Sequence, residues 1–286
     1  MGSRFLRFPE GRGKAVTLSY DDGCIYDVKL AEIIDRYGLK CTFNLNSKSL
    51  LSNANGSRVT LEQARGFLLS GHEIAVHGEK HKAPGLVSPL EGIRDVLYCR
   101  EALEQTFGRI IRGMAYPDSG ITRFVSGHKY EDVRNYLNDL GIAFSRTLGQ
   151  DNDKFELPTD WYAWMPTAHH VNPLLDEYMN EFLAIDPDSG YTARRYPRLF
   201  YLWGHSYEFN NQNNWELLEH IGETLGGKDD IWYATNIEIY EYVTAYNSLI
   251  WSADGKQVYN PTLLSLWFAQ DDRLYCITSG ETLLME

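Results

Sequence analysis

The sequence predicts an irregular (β/α) barrel of seven or eight strands with a small β appendage at its C-terminus. Strand-like and helix-like segments alternate along most of the 286 residues, which is the pattern of a parallel sheet. Polar residues capable of chemistry directly follow several of the strand-like segments. A barrel, or a strongly curved sheet, gathers such strand ends around one mouth, whereas an open doubly wound sheet is the alternative.

The first half of the chain shows a regular alternation of strand and helix signals. Capping boxes mark two helix starts, at Thr60 and at Ser88, and the second start also has Pro89 at the first helical position. Gly38 ends an earlier apolar-periodic helix. The predicted strands cover residues 15–20, 41–46, 73–77, 113–116 and 142–147, and the predicted helices cover 25–37, 60–70, 88–107 and 130–140.

The second half is less regular. Residues 148–170 are rich in Trp, Pro and Asp and predict no regular element. Strands are expected at 199–203 and 231–234, helices at 173–183, 215–225 and 237–246, and short strands at 249–252, 257–259, 263–268 and 273–278. We therefore predict a barrel domain over residues 1–248 and an extension over residues 249–286 that packs on it.

Composition narrows the possible partners. The net charge is −12 and no run of Lys or Arg stands out, which argues against nucleic acid and anionic membranes as partners. No apolar stretch reaches membrane-spanning length, so membrane insertion is not expected. Aromatic residues make up 13% of the chain, and they serve either core packing or stacking on sugar faces.

The cysteines and the N-terminus carry weaker signals. Four cysteines fit no Cys-x-x-Cys pattern, so buried reduced thiols are expected. The segment from Met1 to Phe5 lacks the apolar run of a secretory signal, which predicts a cytoplasmic protein as the sequence stands. Secretion stays open, because Met1-Gly2-Ser3 could replace a removed signal.

Two short segments carry the residue types of a metal-dependent hydrolase. Asp21 and Asp22 follow one predicted strand, and His77 and His81, four positions apart, follow another. One carboxylate and two imidazoles suit a catalytic zinc-type metal, which leaves a second carboxylate as a base. Each signal alone is weak, since Asp-Asp-Gly is a common turn and paired histidines are often structural. Their combination at strand ends favours a metal site.

From about residue 15 to about residue 246, the chain resembles the polysaccharide deacetylase family, also called NodB-homology domains or carbohydrate esterase family four. The family's Thr-Phe-Asp-Asp-Gly motif is matched by residues 19–23, which read Ser-Tyr-Asp-Asp-Gly. Its His-Ser/Thr-x-x-His motif is matched by residues 77–81, with Gly78 at the hydroxyl position. The late Leu-x-x-His motif is matched by residues 202–205, in which Leu202 and Trp203 precede the histidine.

The resemblance implies a set of roles. Asp22, His77 and His81 would bind a divalent metal, zinc first, with cobalt, manganese or nickel as alternatives. Asp21 would be the general base, and His205 the general acid that protonates the leaving group. The implied reaction is removal of an N- or O-linked acetyl group from a carbohydrate.

The third family motif, Arg-Pro-Pro-Tyr-Gly, is only partly present. Ala115 stands where the arginine that pairs with the base aspartate is expected. We hypothesise that Arg146 supplies the guanidinium from a neighbouring strand, because Arg112 is expected to face differently. Tyr116, Pro117 and Asp118 fill the following positions, and the Asp118 N–H is the implied oxyanion donor.

The fourth family motif ends in Asp-Trp, which Asp160 and Trp161 match. By resemblance, Asp160 would orient the arginine or the acid histidine, and Trp161 would wall the acyl pocket. The alternative is a loop aspartate beside a packed tryptophan. His169 and His170 are further substrate or ligand candidates, but adjacent side chains do not easily face one metal, so both stay outside the predicted ligand set.

Two alternative functions remain at this point. One is a catalytically silent carbohydrate-binding protein on the same scaffold, favoured slightly by the missing arginine. The other is a hydrolase of a small C–N substrate, since an insert from about residue 149 to residue 198 could cover the mouth. The expected partner is thus an acetylated carbohydrate or a small amide, and the oligomeric state is open.

Overall fold

The computed structural model describes residues 3–53, 55–125, 127–149, 151–189 and 195–285. Residues 150 and 190–194 of the predicted insert, and residue 286 of the predicted extension, lie outside the described residues. None of the helices in this described part combines the length and the apolar composition that crossing a bilayer requires.

Eight strands run parallel in one curved sheet, and they form the predicted irregular (β/α) barrel. Seven of them follow the spatial order β6-β5-β4-β3-β2-β8-β7, while β9 pairs beside the start of β2. The strands are β2 (Lys14–Asp21), β3 (Cys41–Leu45), β4 (Glu73–Val76), β5 (Gly113–Ala115), β6 (Phe144–Arg146), β7 (Ala168–His169), β8 (Arg198–Gly204) and β9 (Ile231–Tyr233).

A short segment that starts at Trp164 links the two edges of this sheet. The Trp164 N–H donates to Ser145 of β6, and the Trp164 carbonyl accepts from the Thr147 N–H. Three residues later, the Thr167 N–H donates to Tyr201 of β8. The sheet therefore curls until the carboxyl ends of β2, β4, β5, β6 and β8 surround one mouth.

Helices cover the outside of the curved sheet, and both capping boxes predicted from the sequence are formed. Thr60 caps the helix that follows it, and Ser88 caps the longest helix, which ends at Gly108 in the left-handed conformation. The helices are α1 (Asp27–Arg36), α2 (Ser47–Ser52), α3 (Leu61–Leu69), α4 (Pro89–Phe107), α5 (Tyr130–Asp139), α6 (Leu175–Ala184), α7 (Ser206–Gln212), α8 (Trp215–Leu225) and α9 (Asn236–Asn247).

The chain ends in short antiparallel strands, as the change of pattern after residue 249 predicted. They are β10 (Ile250–Trp251), β11 (Gln257–Tyr259), β12 (Leu266–Gln270), β13 (Arg273–Ile277) and β14 (Thr282–Leu284). The N-terminal strand β1 (Arg4–Arg7) pairs with β12, so both ends of the chain contribute to one small sheet. The domain boundary at residues 248 and 249 stays a prediction.

Two apolar clusters support this arrangement. The larger lies between the barrel sheet and the helices, with Phe43, Leu202 and Phe209 among its fully buried members. The smaller joins the barrel to the C-terminal strands through residues such as Tyr242 and Phe268. Three cysteines are buried as expected, but Cys276 is exposed because it lies on β13 at the surface, and none of the four forms a disulfide.

Candidate active site and metal centre

Three side chains converge at the carboxyl end of the barrel. Asp22 follows β2 and His77 follows β4, while His81 lies in the loop beyond it. The Asp22 Oδ1 atom lies 3.8 Å from His77 Nε2 and 3.5 Å from His81 Nε2. Ligands about 2.0–2.2 Å from a tetrahedral zinc are separated by roughly these distances. The spacing of the three donor atoms thus suits one divalent cation.

The state of His77 also fits a metal ligand. Its Nδ1 lies 2.9 Å from the Ala115 carbonyl oxygen and donates to it, which leaves Nε2 with a free lone pair toward Asp22. His77 is 1% exposed, and this burial lowers the pKa of its imidazole despite the nearby carboxylates of Asp21 and Asp22. A neutral imidazole is the form that binds a metal.

Backbone conformation brings Asp22 and His81 into this cluster. Asp22 and His81 both have positive φ angles, 80° and 56°, in the left-handed region that non-glycine residues rarely adopt. Arg58 supports the first turn through a hydrogen bond of 2.7 Å from its Nη1 to the Asp22 carbonyl. Local strain of this kind is held by the surrounding structure and is common at functional sites.

The loop between the two histidines is fixed by Asp95 of α4, which the sequence did not reveal. Asp95 Oδ1 accepts a 2.8 Å hydrogen bond from the Lys80 N–H, and its carbonyl accepts one of 2.9 Å from the Glu79 N–H. Gly78 has a φ of 76°, and a Cβ there would lie 2.2 Å from Asp95 Oδ2. Gly78 therefore replaces the family's hydroxyl residue because the Asp95 carboxylate occupies that space.

Restoring the family residue is expected to damage the site. Gly78→Ser should weaken metal binding by tenfold or more and destabilise the fold by about 1–3 kcal/mol, since a side chain would meet both the carboxylate and an unfavourable φ. Metal titration and thermal unfolding measure the two effects. The double variant Gly78→Ser/Asp95→Ala should lose less than the sum of the single changes. Additive losses would show that Asp95 and Gly78 do not compete for this space.

A second carboxylate, Asp21, lies behind the three ligands at the end of β2. Its Oδ2 is 3.9 Å from His77 Nε2 and pairs with Arg146 Nη2, and its Oδ1 accepts a 2.9 Å hydrogen bond from Asn44 Nδ2. Burial alone would raise the pKa of Asp21, but Arg146, His77 and His205 outweigh that effect and lower it. Asp21 is thus held as an oriented anion.

Arg146 occupies the position that the sequence hypothesis required. It is fully buried at the end of β6, and Ala115 of β5 is its partner in the parallel register. Its guanidinium carbon lies 4.3 Å from the centre of the Trp203 ring, so the cation stacks on the indole while it pairs with Asp21. The guanidinium that contacts Asp21 therefore comes from β6, whereas the family motif would place its arginine on the neighbouring strand β5, at Ala115.

Removing this guanidinium tests its role. Arg146→Ala should reduce turnover by about tenfold or more and lower the unfolding free energy by about 3–5 kcal/mol, because the Asp21 charge is left buried without its partner. Steady-state kinetics and denaturant unfolding measure both effects. Because Ala115 is the register neighbour, Ala115→Arg/Arg146→Ala should recover part of the loss. Unchanged turnover and unchanged metal content in Arg146→Ala would remove Arg146 from the site.

His205 lies at the same mouth, directly after β8, the strand that pairs with β2. It follows β8 as the N-cap residue of α7, and its ring is half-buried. Burial alone would lower the pKa of His205, but the Glu208 carboxylate, Asp21 and Asp22 together raise it above its ordinary value. The imidazole is therefore suited to hold a proton near neutral pH.

The remaining predicted residues divide into those near the site and those away from it. Asp118 Oδ2 lies 3.7 Å from His81 Nδ1, so its carboxylate points to a ligand histidine rather than to the position of an oxyanion. Pro117 is buried beside it in the same turn. Tyr116 is buried, and its hydroxyl donates to the Tyr162 carbonyl at 2.8 Å. Leu202 belongs to the apolar core.

The expectation for Asp160 and Trp161 is not met by their contacts. The Asp160 carboxylate accepts hydrogen bonds from Tyr130 Oη at 2.7 Å and from the Tyr162 N–H at 2.9 Å, and it caps a short 3₁₀ turn. Trp161 packs edge-on against Trp164 and Tyr240 in the smaller core cluster. The two residues therefore hold the loop before β7 against α5 and α9, through Tyr130 and Tyr240.

Three site residues escaped the sequence reasoning. Asn44 and Glu208 contact the predicted residues Asp21 and His205, and Asp95 holds the loop between the two histidines. They lie in a strand, in the short helix α7 and in the long helix α4. A polar side chain near the end of a strand was the available signal for Asn44. Glu208 stands three positions after His205, as an N-terminal capping box requires.

The fold and the sequence of its first half define the class of protein that this chain resembles, the polysaccharide deacetylase barrels. A family model described as polysaccharide deacetylase matches residues 9–145, a segment that includes Asp21, Asp22, His77 and His81. The assignment to the polysaccharide deacetylase family is thereby confirmed for this part of the chain. A search of curated proteins found no match to the sequence.

Two solved structures share this fold at low identity, and a third matches only part of the chain. A putative polysaccharide deacetylase from Mycobacterium smegmatis is 18% identical with a TM-score of 0.59, over 86% of this chain and 96% of that one. The Xyl-CE4 domain of a multidomain xylanase from the hindgut metagenome of Trinervitermes trinervoides is 19% identical with a TM-score of 0.51, over 81% and 92%. Streptococcus pyogenes deacetylase PplD in complex with acetate is 18% identical with a TM-score of 0.40, and the match spans 46% of this chain and 55% of that one.

Proposed function

We propose that this protein is a metal-dependent hydrolase that removes acetyl groups from a carbohydrate. The observation that carries the proposal is the convergence of Asp22, His77 and His81 with Asp21, a buried anion, directly behind them. This donor set, one carboxylate and two imidazoles, is of the kind that holds a catalytic zinc and leaves coordination positions open. The metal is zinc in this proposal, with cobalt, manganese or nickel as replacements.

A divalent cation in this site would supply Lewis acidity, polarising the acyl carbonyl and lowering the pKa of a bound water. The protein's own groups then provide proton transfer. Asp21 accepts a proton from the attacking water through its carboxylate, which Arg146 and Asn44 hold in one orientation. The Asp118 N–H donates to the developing oxyanion.

His205 donates the proton that the leaving group needs. It follows β8, next to the end of β2 that carries Asp21, and its raised pKa keeps the imidazole protonated at higher pH than a free histidine. An amine leaving group requires this proton more than an activated alkoxide does. The assignment of Asp21 as base and His205 as acid follows from their pKa values, because that of Asp21 is lowered and that of His205 is raised.

Features around the mouth favour a sugar substrate. Trp203 is partly exposed between Arg146 and His205, and the Tyr207 ring lies 5.0 Å from the His205 ring. Aromatic faces of this kind stack on the C–H bonds of sugar rings. The net charge of −12 suits a neutral substrate whose product carries a free amine.

Acetate release tests the proposal directly. The purified protein, loaded with zinc after chelation, is assayed on chitin oligomers, peptidoglycan and acetylated xylan, and its metal content is measured in parallel. We expect about one zinc per chain and acetate from at least one polymer. Binding of an oligosaccharide without acetate release would instead indicate a silent carbohydrate-binding protein. Turnover of small cyclic amides alone would indicate the C–N hydrolase.

A further inference from the structure

The Glu208 carboxylate, beside the proposed acid His205, lies close to three imidazole rings. Glu208 Oε2 lies 3.2 Å from His169 Nε2, 3.3 Å from His170 Nε2 and 3.5 Å from His205 Nδ1. The same oxygen accepts a 3.1 Å hydrogen bond from the His205 N–H. His169 and His170 stay outside the predicted metal-ligand set, but their rings lie 4.5 Å apart and both Nε2 atoms approach the same Glu208 oxygen.

The fold is shaped to bring His170 to this point. Its ring is fully buried and stacks on Phe209 of α7 with the ring centres 4.1 Å apart. A Cβ on Gly204 would lie 1.9 Å from His170 Nδ1, so only glycine at the end of β8 leaves room for the ring. Parallel pairing places His169 opposite Trp203, two residues before His205. Packing and register thus aim both imidazoles at Glu208.

His169, His170 and Glu208 could in principle hold a metal, since their donor atoms lie within 4.8 Å of one another. The hydrogen bond at His169 argues against it. His169 Nδ1 accepts from the Val171 N–H at 3.3 Å, so the ring proton resides on Nε2 and points at the Glu208 carboxylate. His77 shows the opposite arrangement, with its Nδ1 donating and its Nε2 free. A metal-ligating histidine needs the arrangement of His77.

The charges at the cluster agree with a network of ion pairs. Burial alone would raise the pKa of Glu208, but the imidazoles of His169 and His205 beside it outweigh that effect and hold the pKa of the carboxyl well below its usual range. Burial lowers the pKa of His170 to about 3, so this ring stays neutral. One anion is therefore left to balance a proton on His205.

We infer that Glu208 is the positioning residue of the catalytic acid: its Oε2 accepts the His205 N–H and lies 3.5 Å from His205 Nδ1, within ion-pair distance, and His169 and His170 flank the same oxygen. The inference rests on the proposed function, in which His205 is the acid. Glu208 lies three residues after His205. The inference gives it the orienting role that the family resemblance implied for Asp160. The Asp160 carboxylate is instead engaged with Tyr130 and Tyr162.

The test is Glu208→Gln in the zinc-loaded protein. The glutamine keeps an oxygen for the capping hydrogen bond to the His205 N–H but removes the charge. A general acid must be protonated, so activity falls as pH rises through its pKa, and loss of the anion should lower that pKa. We expect the alkaline limb of kcat/KM on an N-acetyl substrate to move down by about one pH unit or more. Above pH 8, kcat should fall about tenfold or more, with a smaller loss on an activated acetyl ester.

Other titratable groups near His205 and Glu208 also influence the pKa of His205. They are Asp21 and Asp22 from the end of β2, His169 and His170 from the end of β7, and Tyr207 from α7. Glu238→Gln is the matched control, because Glu238 makes the same capping box at α9 without a histidine partner. Its pH profile should equal that of the parent.

A readout without turnover separates this inference from the proposed function. NMR of labelled histidine rings, with the His205 signals identified from His205→Gln, should show a lower His205 pKa in Glu208→Gln even if no acetyl substrate is found. An unchanged His205 pKa and an unchanged alkaline limb would overturn the inference. So would two zinc ions per chain in the parent and one in Glu208→Gln, which would make the cluster a second metal site.

Discussion

Replacing His77 by alanine is expected to remove the bound metal and to reduce turnover to background. His77 is a buried member of the ligand trio, and its Nε2 lies 3.8 Å from Asp22 Oδ1. Loss of one of three protein ligands leaves a carboxylate and a half-exposed imidazole, which hold zinc weakly. The lost Lewis acidity amounts to several kcal/mol of barrier, and each decade of rate corresponds to about 1.4 kcal/mol. Elemental analysis after dialysis and acetate release measure both losses.

His220→Ala is the matched control for this experiment. His220 is about half exposed, and its Nε2 pairs with Asp176 at 2.8 Å on the surface. This variant should keep one metal per chain and the activity of the parent. A His77→Ala protein that retains zinc with parental affinity would show that the three side chains do not form the metal site, and the proposed function would fail with it.

Asp21→Asn is expected to keep the metal and to lose about two to four decades of kcat. A general base contributes a rate factor of about 10² to 10⁴, and an amide cannot accept the proton. The asparagine retains the shape of the carboxylate and the hydrogen bond from Asn44 Nδ2, so the ligands in front of it should not move. Metal stoichiometry, kcat and the unfolding midpoint are measured together, since the buried Arg146 loses its counterion in the same change.

Asp27→Asn controls for the loss of a buried carboxylate. Asp27 is fully buried on α1, and burial raises its pKa to about 8, so it is mostly protonated at pH 7. Its Oδ1 accepts a 2.5 Å hydrogen bond from Ser206 Oγ, which an amide oxygen can also accept. Turnover should therefore stay within a few-fold of the parent. An Asp21→Asn protein as active as Asp27→Asn would assign the base to another group.

Much of the fold could be predicted from the sequence because the signals for its helices and strands are local. The capping boxes at Thr60 and Ser88 fixed two helix starts, and strand alternation predicted β2, β3, β4 and β8 within a residue or two. Elements with short or ambiguous signals were missed, among them β1, β7, β14 and the helices α2 and α7. These depend on partners distant in sequence, as in the pairing of β1 with β12.

The contacts of the supporting residues could not be predicted from sequence motifs. Ala115 and Arg146 are 31 positions apart, and only the register of two parallel strands makes them neighbours. Asp160 matched a motif by its dipeptide, yet its carboxylate accepts a hydrogen bond from Tyr130 of α5. A two-residue motif match identifies the residues but not the position of their loop in the fold. That position determines which groups a side chain can contact.

The amino-acid order determined which residues have the chemistry: the Asp21-Asp22 pair, the two histidines four positions apart, and the alternation that predicts their strand ends. Tertiary structure decided how those groups are held, through Arg146 against Asp21, Asp95 under the loop at Gly78, and Glu208 among its histidines. The reason is physical. Backbone preferences and periodicity act over a few residues, but charge pairing and space filling depend on segments that meet only after the sheet has curled.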